Sequence, residues 1–153
     1  MPPPDSSWPE VRVTFAISGE LEPGEITRLL AIQPSRQWKR GDRARSRNRV
    51  VPVEDGWALS SQEVVTMDGT AEVIAVIERL ESVAESLRHV QSRYPDADLR
   101  LTLVAYVPTH ERAAVPNLEL DNHTLRRLAD LGLTFEIDYM LLAPEEDAPT
   151  TDH

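Results

Sequence analysis

The chain has 153 residues, of which 41% are hydrophobic and 27% charged, and its formal net charge is −10. This length and composition are typical of one globular domain with a hydrophobic core. The absence of cysteine excludes disulfides, thiolate nucleophiles and cysteine-ligated metal sites, and it fits a reducing compartment. The acidic balance argues against a whole surface that binds nucleic acid or an anionic membrane. No window approaches the roughly 18 apolar residues that a membrane span needs, so we expect a cytoplasmic protein without membrane contact.

The chain is predicted to begin with a lead-in and one strand. Residues 1–10 hold four prolines and show no apolar period, so we predict disorder there, without the basic and apolar parts of a signal peptide. The following residues alternate between apolar and polar side chains, which is the period of a strand with one face on the core. Its apolar members are Val11, Val13, Phe15 and Ile17.

A short helix is predicted next. Pro23 suits the first helical position, where its missing N–H costs nothing, and Glu22 and Glu25 lie where the helix dipole favours negative charge. Pro34 prevents continuation of the helix. The helix therefore has about two to three turns, and its apolar stripe consists of Ile26, Leu29, Leu30 and Ile32.

Residues 35–50 are predicted to form a basic loop, because they lack a period and contain Gly41, which tolerates a positive φ. From Arg36 to Arg49, seven basic residues oppose one acid, Asp42. This segment has a net charge of +6, whereas the rest of the chain carries −16. A basic loop on an acidic body either folds back onto its own carboxylates or reaches an acidic partner.

Trp38 adds an aromatic surface to this charge, and Trp57 follows the loop. Aromatic rings among basic side chains are typical of single-stranded nucleic-acid sites. Because the acidic body repels phosphate, nucleic acid is a poor partner and an acidic protein surface is the favoured one. In the structural alternative, both tryptophans close the core and the arginines neutralise the body. The candidate binding residues are Arg36, Trp38, Lys39, Arg40, Arg43, Arg45, Arg47 and Trp57.

The middle of the chain is predicted to hold a second strand and the longest helix. Asp55-Gly56 is a turn signal, after which Trp57 and Leu59 point to one side of a strand. From Ala71 to about Tyr94, apolar residues recur at spacings of three and four, which predicts one helix of about six turns.

Three further elements complete the predicted domain. Alternation over residues 99–107 predicts a third strand. Asp121 is a good N-cap for a third helix, and Gly132 is its expected C-terminal glycine. Residues 135–142 alternate again and predict the last strand, and the acidic tail from 143 to 153 is predicted to be disordered.

The order of elements defines the fold class. The first and third helices share an apolar spacing, and each lies between two strands. We infer an α+β fold, a single two-layer domain over residues 11–142, whose mixed sheet has helices on one face. Two βαβ-like halves are joined by the long helix, in the manner of ferredoxin-like folds. The other sheet face is expected to show cross-strand pairing among Arg12, Arg100, Glu136 and Asp138.

Several stretches carry a family resemblance. They are Glu22-Pro23, Glu25-Ile26-Thr27, Leu29-Leu30, Ile32, Pro34-Ser35, Trp38-Lys39, Gly41 and Gly56-Trp57-Ala58-Leu59. From Val11 to Leu142 the chain resembles a bacterial family catalogued as domain of unknown function 4279, in which a helix-ending glycine often stands where this chain has Ala31. The resemblance implies a compact α/β domain without an established activity, sometimes discussed near toxin–immunity systems.

Catalytic motifs are not found in the sequence. His110-Glu111-Arg112-Ala113-Ala114 begins like a zincin helix but has alanine where the second histidine ligand would stand. There is no GxSxG elbow, P-loop lysine or GxGxxG fingerprint, and His123 is interpreted as a surface histidine. We therefore predict no catalytic residue, metal site or cofactor. A pair of carboxylates brought together by the fold stays open as an acid–base site.

Three functions remain open. The favoured one is a non-enzymatic cytoplasmic protein-binding module of an immunity-like kind, whose basic loop engages an acidic partner. The second is an enzyme that processes small molecules or nucleotides in a pocket near Trp38 and Trp57. The third is nucleic-acid binding through the arginine-rich loop, which predicts an affinity that falls steeply with salt.

Overall fold

The computed structural model describes residues 8–42, 51–109 and 114–142. Strands and helices follow one another along these residues. In chain order they are β1 (Glu10–Gly19), α1 (Pro23–Leu30), β2 (Arg36–Trp38), β3 (Asp55–Ser60), β4 (Val64–Val65), α2 (Thr70–Glu81), α3 (Ala84–Arg93), β5 (Asp98–Pro108), α4 (Asn122–Asp130) and β6 (Thr134–Leu142). The predicted tail and most of the predicted lead-in lie outside the described residues, and Glu10 already belongs to β1.

All six strands form one mixed sheet. Its order is β2-β3-β1-β5-β6, and β4 pairs with the start of β1. The neighbouring strands are antiparallel except β5 and β6, which are parallel. The series β1, α1, β2, β3, α2–α3, β5 has the β-α-β-β-α-β order of ferredoxin-like folds, and α4 with β6 adds one more strand. The predicted α+β class is confirmed.

Both βαβ-like halves are present, but the second strand of the first half is β2, which lies in the segment predicted to be a loop. In the second half, α4 connects the adjacent parallel strands β5 and β6. In the first half, the strand parallel to β1 is β2, because both are antiparallel to β3, which lies between them. The prediction of a loop beginning at residue 35 was therefore wrong for Arg36–Trp38, which is a strand.

The core lies between the sheet and the four helices. On β1, the alternate residues Val11, Val13, Phe15 and Ile17 are fully buried, as their period predicted. Every helix contributes to the same core, with Ile26 from α1, Ile77 from α2, Leu87 from α3 and Leu128 from α4 among its members. The helices therefore cover one face of the sheet, which we call the covered face, and the opposite face is called the open face.

The predicted single long helix is two helices. The chain leaves the helical path at Ser82 and Val83, where Val83 has φ −121° and ψ 24°. The Ser82 hydroxyl donates to the carbonyl of Arg79, which is a local alternative to helical hydrogen bonding. The β-branched Val83 adds a low helix propensity. An apolar period that continues across the break hid it from the sequence analysis.

The predicted start of α1 and the predicted caps of α4 are confirmed. Pro23 is the first residue of α1, and Asp121 caps α4 by accepting from the Thr124 N–H over 2.8 Å. Gly132 has φ 70°, as expected for the residue after α4. α1 instead ends on Ala31 in the left-handed conformation, with φ 53°. Among the described residues, no helix has the length and apolar character needed to cross a membrane.

Candidate binding site on the open sheet face

The open face is built from the polar halves of the strand alternation. Thr14 of β1 lies opposite Ser60 of β3, and their hydroxyl oxygens are 2.9 Å apart. Ala16 lies opposite Ala58, so only short side chains project from the sheet between β1 and β3. Small side chains in the middle of a sheet face leave room for the larger groups at its margins.

Trp38 occupies part of that room. In the β2–β3 register, Trp38 lies opposite Gly56 and Arg36 lies opposite Ala58. A Cβ atom on Gly56 would come within 1.9 Å of Cζ2 of Trp38, so the indole lies directly on the glycine. The prediction of a turn at Asp55-Gly56 was therefore wrong. These residues are strand, and the glycine is needed for close packing.

Arg36 stacks on this indole. Its guanidinium carbon lies 4.6 Å from the centre of the Trp38 ring, a cation–π distance. The pair forms one wall of a groove of about 540 Å³. Further residues of the groove wall are Arg12, Ser35, Ser61 and Glu63. The groove thus presents positive charge beside a flat aromatic surface.

Arg12 supplies the second cation of the groove. Its guanidinium carbon lies 5.8 Å from the centre of the Tyr106 ring, and its Nη1 lies 3.6 Å from a carboxylate oxygen of Glu63. Within the described part of the chain, its Nε is buried without a hydrogen-bond partner. Glu63 neutralises only part of the charge, since the separation is long for an ion pair.

Trp57 lies on the covered face instead. Its side chain is 0% exposed, meets Phe15 edge to face at 6.1 Å between ring centres, and donates its Nε1–H to the Thr27 hydroxyl over 3.0 Å. The sheet therefore separates Trp57 from Trp38. The pocket predicted near Trp38 and Trp57 has a counterpart at Trp38 only, since the groove is lined by Trp38 and not by Trp57. Trp57 closes the core, and Trp38 is the tryptophan of the groove.

The chain between β2 and β3 leaves the sheet through a stem that is tied to the body. The Asp55 carboxylate accepts from the N–H of Arg40 over 2.8 Å and from the N–H of Leu21 over 3.1 Å. The Gly41 N–H donates to the carbonyl of Pro52 over 3.0 Å, and Gly41 has the positive φ expected for it, 82°. Both ends of the arginine-rich segment are thus held near the start of β3.

Lys39 is committed to this stem. Its Nζ lies 3.3 Å from Glu22 and 3.6 Å from Asp55, and it donates to the carbonyl of Leu21 over 3.3 Å. Desolvation lowers the pKa of Lys39, but the hydrogen bond to Glu22 and the charge of Asp55 outweigh it, so the net pKa lies above 10.5. The part of the basic loop at Lys39 folds back onto the acidic body.

Asp55 is correspondingly stabilised as a carboxylate. Its pKa is lowered, first by the N–H of Arg40, then by the N–H of Leu21, and further by the charge of Lys39. The two N–H groups point at the ionised oxygen atoms, and such donors favour the charged form. Asp55 thereby anchors Arg40, at the start of the arginine-rich segment that connects β2 and β3.

The predicted binding residues are divided among three places. Arg36 and Trp38 form the groove wall, and Lys39 and Arg40 form the stem, where Arg40 uses its backbone N–H and keeps its side chain exposed. Trp57 lies in the core. Arg43, Arg45 and Arg47 lie outside the described residues, as does the His110-Glu111 pair.

Four residues in or beside the groove were not among the predicted binding residues. They are Arg12, Gly56, Ser60 and Tyr106. The polar half of the alternation along β1 and β5 placed Arg12 and Tyr106 on one face. Nothing local to β3 showed that Gly56 would lie under an indole, because that contact depends on the pairing of β2 with β3.

The cross-strand charges on the open face are confirmed in part. Arg100 makes a short ion pair with Glu136 (2.6 Å) on the neighbouring strand and a second with Asp98 (3.0 Å). These carboxylates raise the pKa of Arg100, with Glu136 the larger influence. Arg12 pairs with Glu63 instead of the β6 acids, because β5 separates its strand from β6.

The fold and the site define an α+β domain with one uncovered sheet face that carries arginine, tryptophan and hydroxyl side chains. Residues 9–142 match the family described as Domain of unknown function (DUF4279), and the chain belongs to that family. The match confirms the resemblance seen in the sequence. Comparisons with curated proteins and with solved structures give no significant match.

Proposed function

We propose that this protein is a non-enzymatic cytoplasmic binding module whose groove on the open face holds an acidic segment of another protein. An immunity-like role, in which one protein is held by another, is one form of such binding. The observation that supports the proposal most directly is the Arg36–Trp38 stack on Gly56. The stack places a cation and an aromatic surface on the open face of the sheet, opposite the face that packs against the helices.

The position of Trp38 is fixed before any partner arrives. Its backbone is paired to β3, and its ring rests on Gly56, where a Cβ atom would collide with the ring. Arg36 is oriented by the ring beneath its guanidinium. A side chain that is already ordered loses less conformational entropy on binding, so more of the contact energy appears as affinity. Tryptophan and arginine are also the residues most enriched among binding hot spots.

The charges select the kind of partner. Arg12 and Arg36 both line the groove, from the strands β1 and β2 that flank β3, and Arg40, whose side chain is exposed, follows β2 in the sequence. A segment with carboxylates and one flat or apolar side chain would satisfy both the arginines and the indole. A long polyanion such as nucleic acid would bring many more charges close to a body that is itself strongly negative.

The enzyme alternative has less support. It relies on a pocket near Trp38 and Trp57, and these side chains lie on opposite faces of the sheet. The hydroxyls of the groove are engaged in the fold: Ser35 accepts from the Ser60 N–H over 2.9 Å, and Ser61 accepts from the Val13 N–H over 3.0 Å. These contacts give the hydroxyls a structural role at the margin of the sheet.

The test compares groove variants with a matched variant on the covered side. Immobilised wild-type protein, W38A, R36A and R88A are exposed to the same extract, and the bound proteins are quantified. Arg88 is an exposed arginine on α3, a helix that packs on the covered face, so R88A controls for the loss of one positive charge. We expect the same partner with wild type and R88A, and its loss with W38A and R36A.

The affinity is then measured with a synthetic peptide that contains the partner's contact segment. Truncation of a hot-spot tryptophan or arginine costs about 2 kcal/mol or more, so W38A is expected to weaken binding by about 30-fold. Replacing the acids of the peptide with their amides should have a comparable effect. A partner retained equally by W38A, R36A and wild type would refute the proposal. A captured nucleic acid with a steep salt dependence would support the arginine-rich loop as a nucleic-acid site instead.

A further inference from the structure

The strand at the far end of the sheet, β6, is unusually apolar for an edge. β6 is the outermost strand on the β5 side, and no described strand pairs with its other edge. Its nine residues read TFEIDYMLL, with no proline and no lysine. Natural edge strands are normally short or interrupted by such residues, which prevents pairing with other chains. The opposite edge follows that rule, since β2 has only three residues.

The helical layer stops before β6 does. Phe135, near the start of the strand, packs against the core. The next residues on the same face are progressively less covered: Ile137 is 39% exposed, Tyr139 48% and Leu141 71%. Met140 and Leu142, on the open face, are also exposed. A row of large apolar side chains along a strand edge with which no described strand pairs marks an interaction surface.

We propose that β6 is the dimer interface of this protein, where it pairs antiparallel with β6 of a second copy. A two-fold interface must be self-complementary, so each residue must suit its partner position. In a register centred on Tyr139, Ile137 faces Leu141 of the other copy, Asp138 faces Met140 and Glu136 faces Leu142. Each acid then lies opposite an apolar residue.

The neighbouring register is disfavoured by charge. Centred on Asp138, it would place the two copies of that carboxylate directly opposite each other, which is destabilising across strands. Centred on Tyr139, the charges are separated, and Glu136 keeps its ion pair with Arg100 on its own chain. The six side chains of Ile137, Tyr139 and Leu141 from the two copies would form one apolar cluster beside the ends of the helical layers.

A second copy suits this edge better than the rest of the chain does. The eleven residues after Leu142 include two prolines and four acids and no large apolar side chain. Such a sequence cannot supply the alternating apolar strand that the exposed face of β6 requires. β6 itself has that alternation, so the copy offers what the tail lacks.

The dimer has a geometric consequence for the open face. Residues directly opposite each other in an antiparallel pair project from the same face of a sheet. The open faces of both copies would therefore lie on the same side of a continuous sheet, with the two Arg36–Trp38 grooves at its outer ends. The dimer does not depend on what those grooves bind.

The test uses the mass in solution and a lysine substitution at the centre of the pairing. Light scattering after size exclusion should give a dimer for wild type and a monomer for Y139K, because lysine would face lysine across the two-fold axis. V53K is the matched control, since Val53 is an 81% exposed apolar residue outside the edge strands. V53K should remain dimeric. A monomeric wild type at the highest attainable concentration, or a dimeric Y139K, would overturn the proposal.

A cross-link tests the register independently of stability. The chain has no cysteine, so a single introduced thiol reports one position cleanly. Antiparallel partners have Cα atoms about 4.5–5.5 Å apart, within the range that disulfides bridge. Under mild oxidation, Y139C should form a covalent dimer, and V53C should not. Rapid cross-linking of D138C with none of Y139C would show a different register and refute the one proposed.

Discussion

The two faces of the sheet use the same strands for different purposes. On the covered face, β1 contributes four fully buried apolar side chains, and Trp57 is packed against Phe15 and hydrogen bonded to Thr27. On the open face, alternate residues of the same strands carry arginines, hydroxyls and small side chains, and Trp38 lies half-buried at the margin. One tryptophan is used for stability, and the other is available for contact.

The difference shows how to separate folding from binding in this domain. Because successive side chains of a strand point to opposite faces, neighbouring positions can be changed with opposite consequences. A substitution on the covered face should lower the free energy of unfolding. A substitution on the open face should alter the groove and leave the fold in place. Four experiments test that separation.

The largest effect is expected at Trp57. Removing a large buried side chain leaves a cavity, and such truncations cost about 3–5 kcal/mol. W57A should lose that much unfolding free energy in denaturant titrations, whereas W38A should lose about 1 kcal/mol, as ordinary substitutions do. If W38A proves as destabilising as W57A, Trp38 belongs to the core and the contrast between the faces fails.

A smaller effect is expected at Gly56, on which the Trp38 indole lies. In G56A the new methyl group would overlap the Trp38 ring, so the indole must move. Overpacking of this kind costs about 1–3 kcal/mol. G56A should increase quenching of Trp38 fluorescence by acrylamide and weaken partner binding, although Trp38 itself is intact.

The control for that experiment is G24A. A Cβ on Gly24 meets nothing within 4 Å, and the residue lies in α1. The same chemical change there should leave Trp38 quenching and binding unaltered. Unchanged quenching in G56A would show that the indole does not depend on the glycine.

Much of this fold could be predicted because the signals were local. The alternation in β1, β5 and β6 gives both the strand and its buried face, and Pro23 and Asp121 give the starts of two helices. Such signals depend on the period of an element or on one cap, and neither requires knowledge of what packs against it.

The site could be predicted only in part, because it depends on strand pairing. The sequence drew attention to Arg36 and Trp38, but three residues are too few to show a strand period. Pairing with β3 makes them a strand and decides that Trp38 faces away from Trp57. The same contact converts Gly56 from a turn residue into a packing residue. No local pattern contains that information.

The third substitution, A31G, is expected to stabilise the helical layer and leave the open face unchanged. Ala31 ends α1 with φ 53°, a conformation that costs an L-residue roughly 1–2 kcal/mol and glycine little. A31G should therefore raise the free energy of unfolding by about 1 kcal/mol after the extra flexibility of unfolded glycine is counted. Binding at the groove should stay unchanged.

The same change in a helix interior is the matched control for A31G. Ala75 is exposed in the middle of α2, where glycine is unfavourable by about 0.5–1 kcal/mol. A75G should therefore be destabilising. If A31G and A75G shift the unfolding midpoint in the same direction, the left-handed conformation of Ala31 is not a source of strain.

The smallest effect on global stability is expected from Asp55, which connects the two regions by holding the stem. Its pKa is lowered from the ordinary value of 3.8 by the N–H groups of Arg40 and Leu21 and by Lys39. A carboxyl whose pKa is lower in the folded state than in the unfolded state stabilises the fold at any pH above the unfolded-state pKa. That stabilisation is lost as the pH falls through the folded-state pKa. The stem should thus hold at neutral pH and release only below about pH 3.8.

The amide shifts of Arg40 and Leu21, followed by NMR, should share one midpoint below pH 3.8. D55N should abolish this titration, and D130N, an exposed carboxylate on α4, should preserve it. A midpoint above 3.8 would mean that these amides do not stabilise the ionised carboxylate, and the stem would then need another anchor.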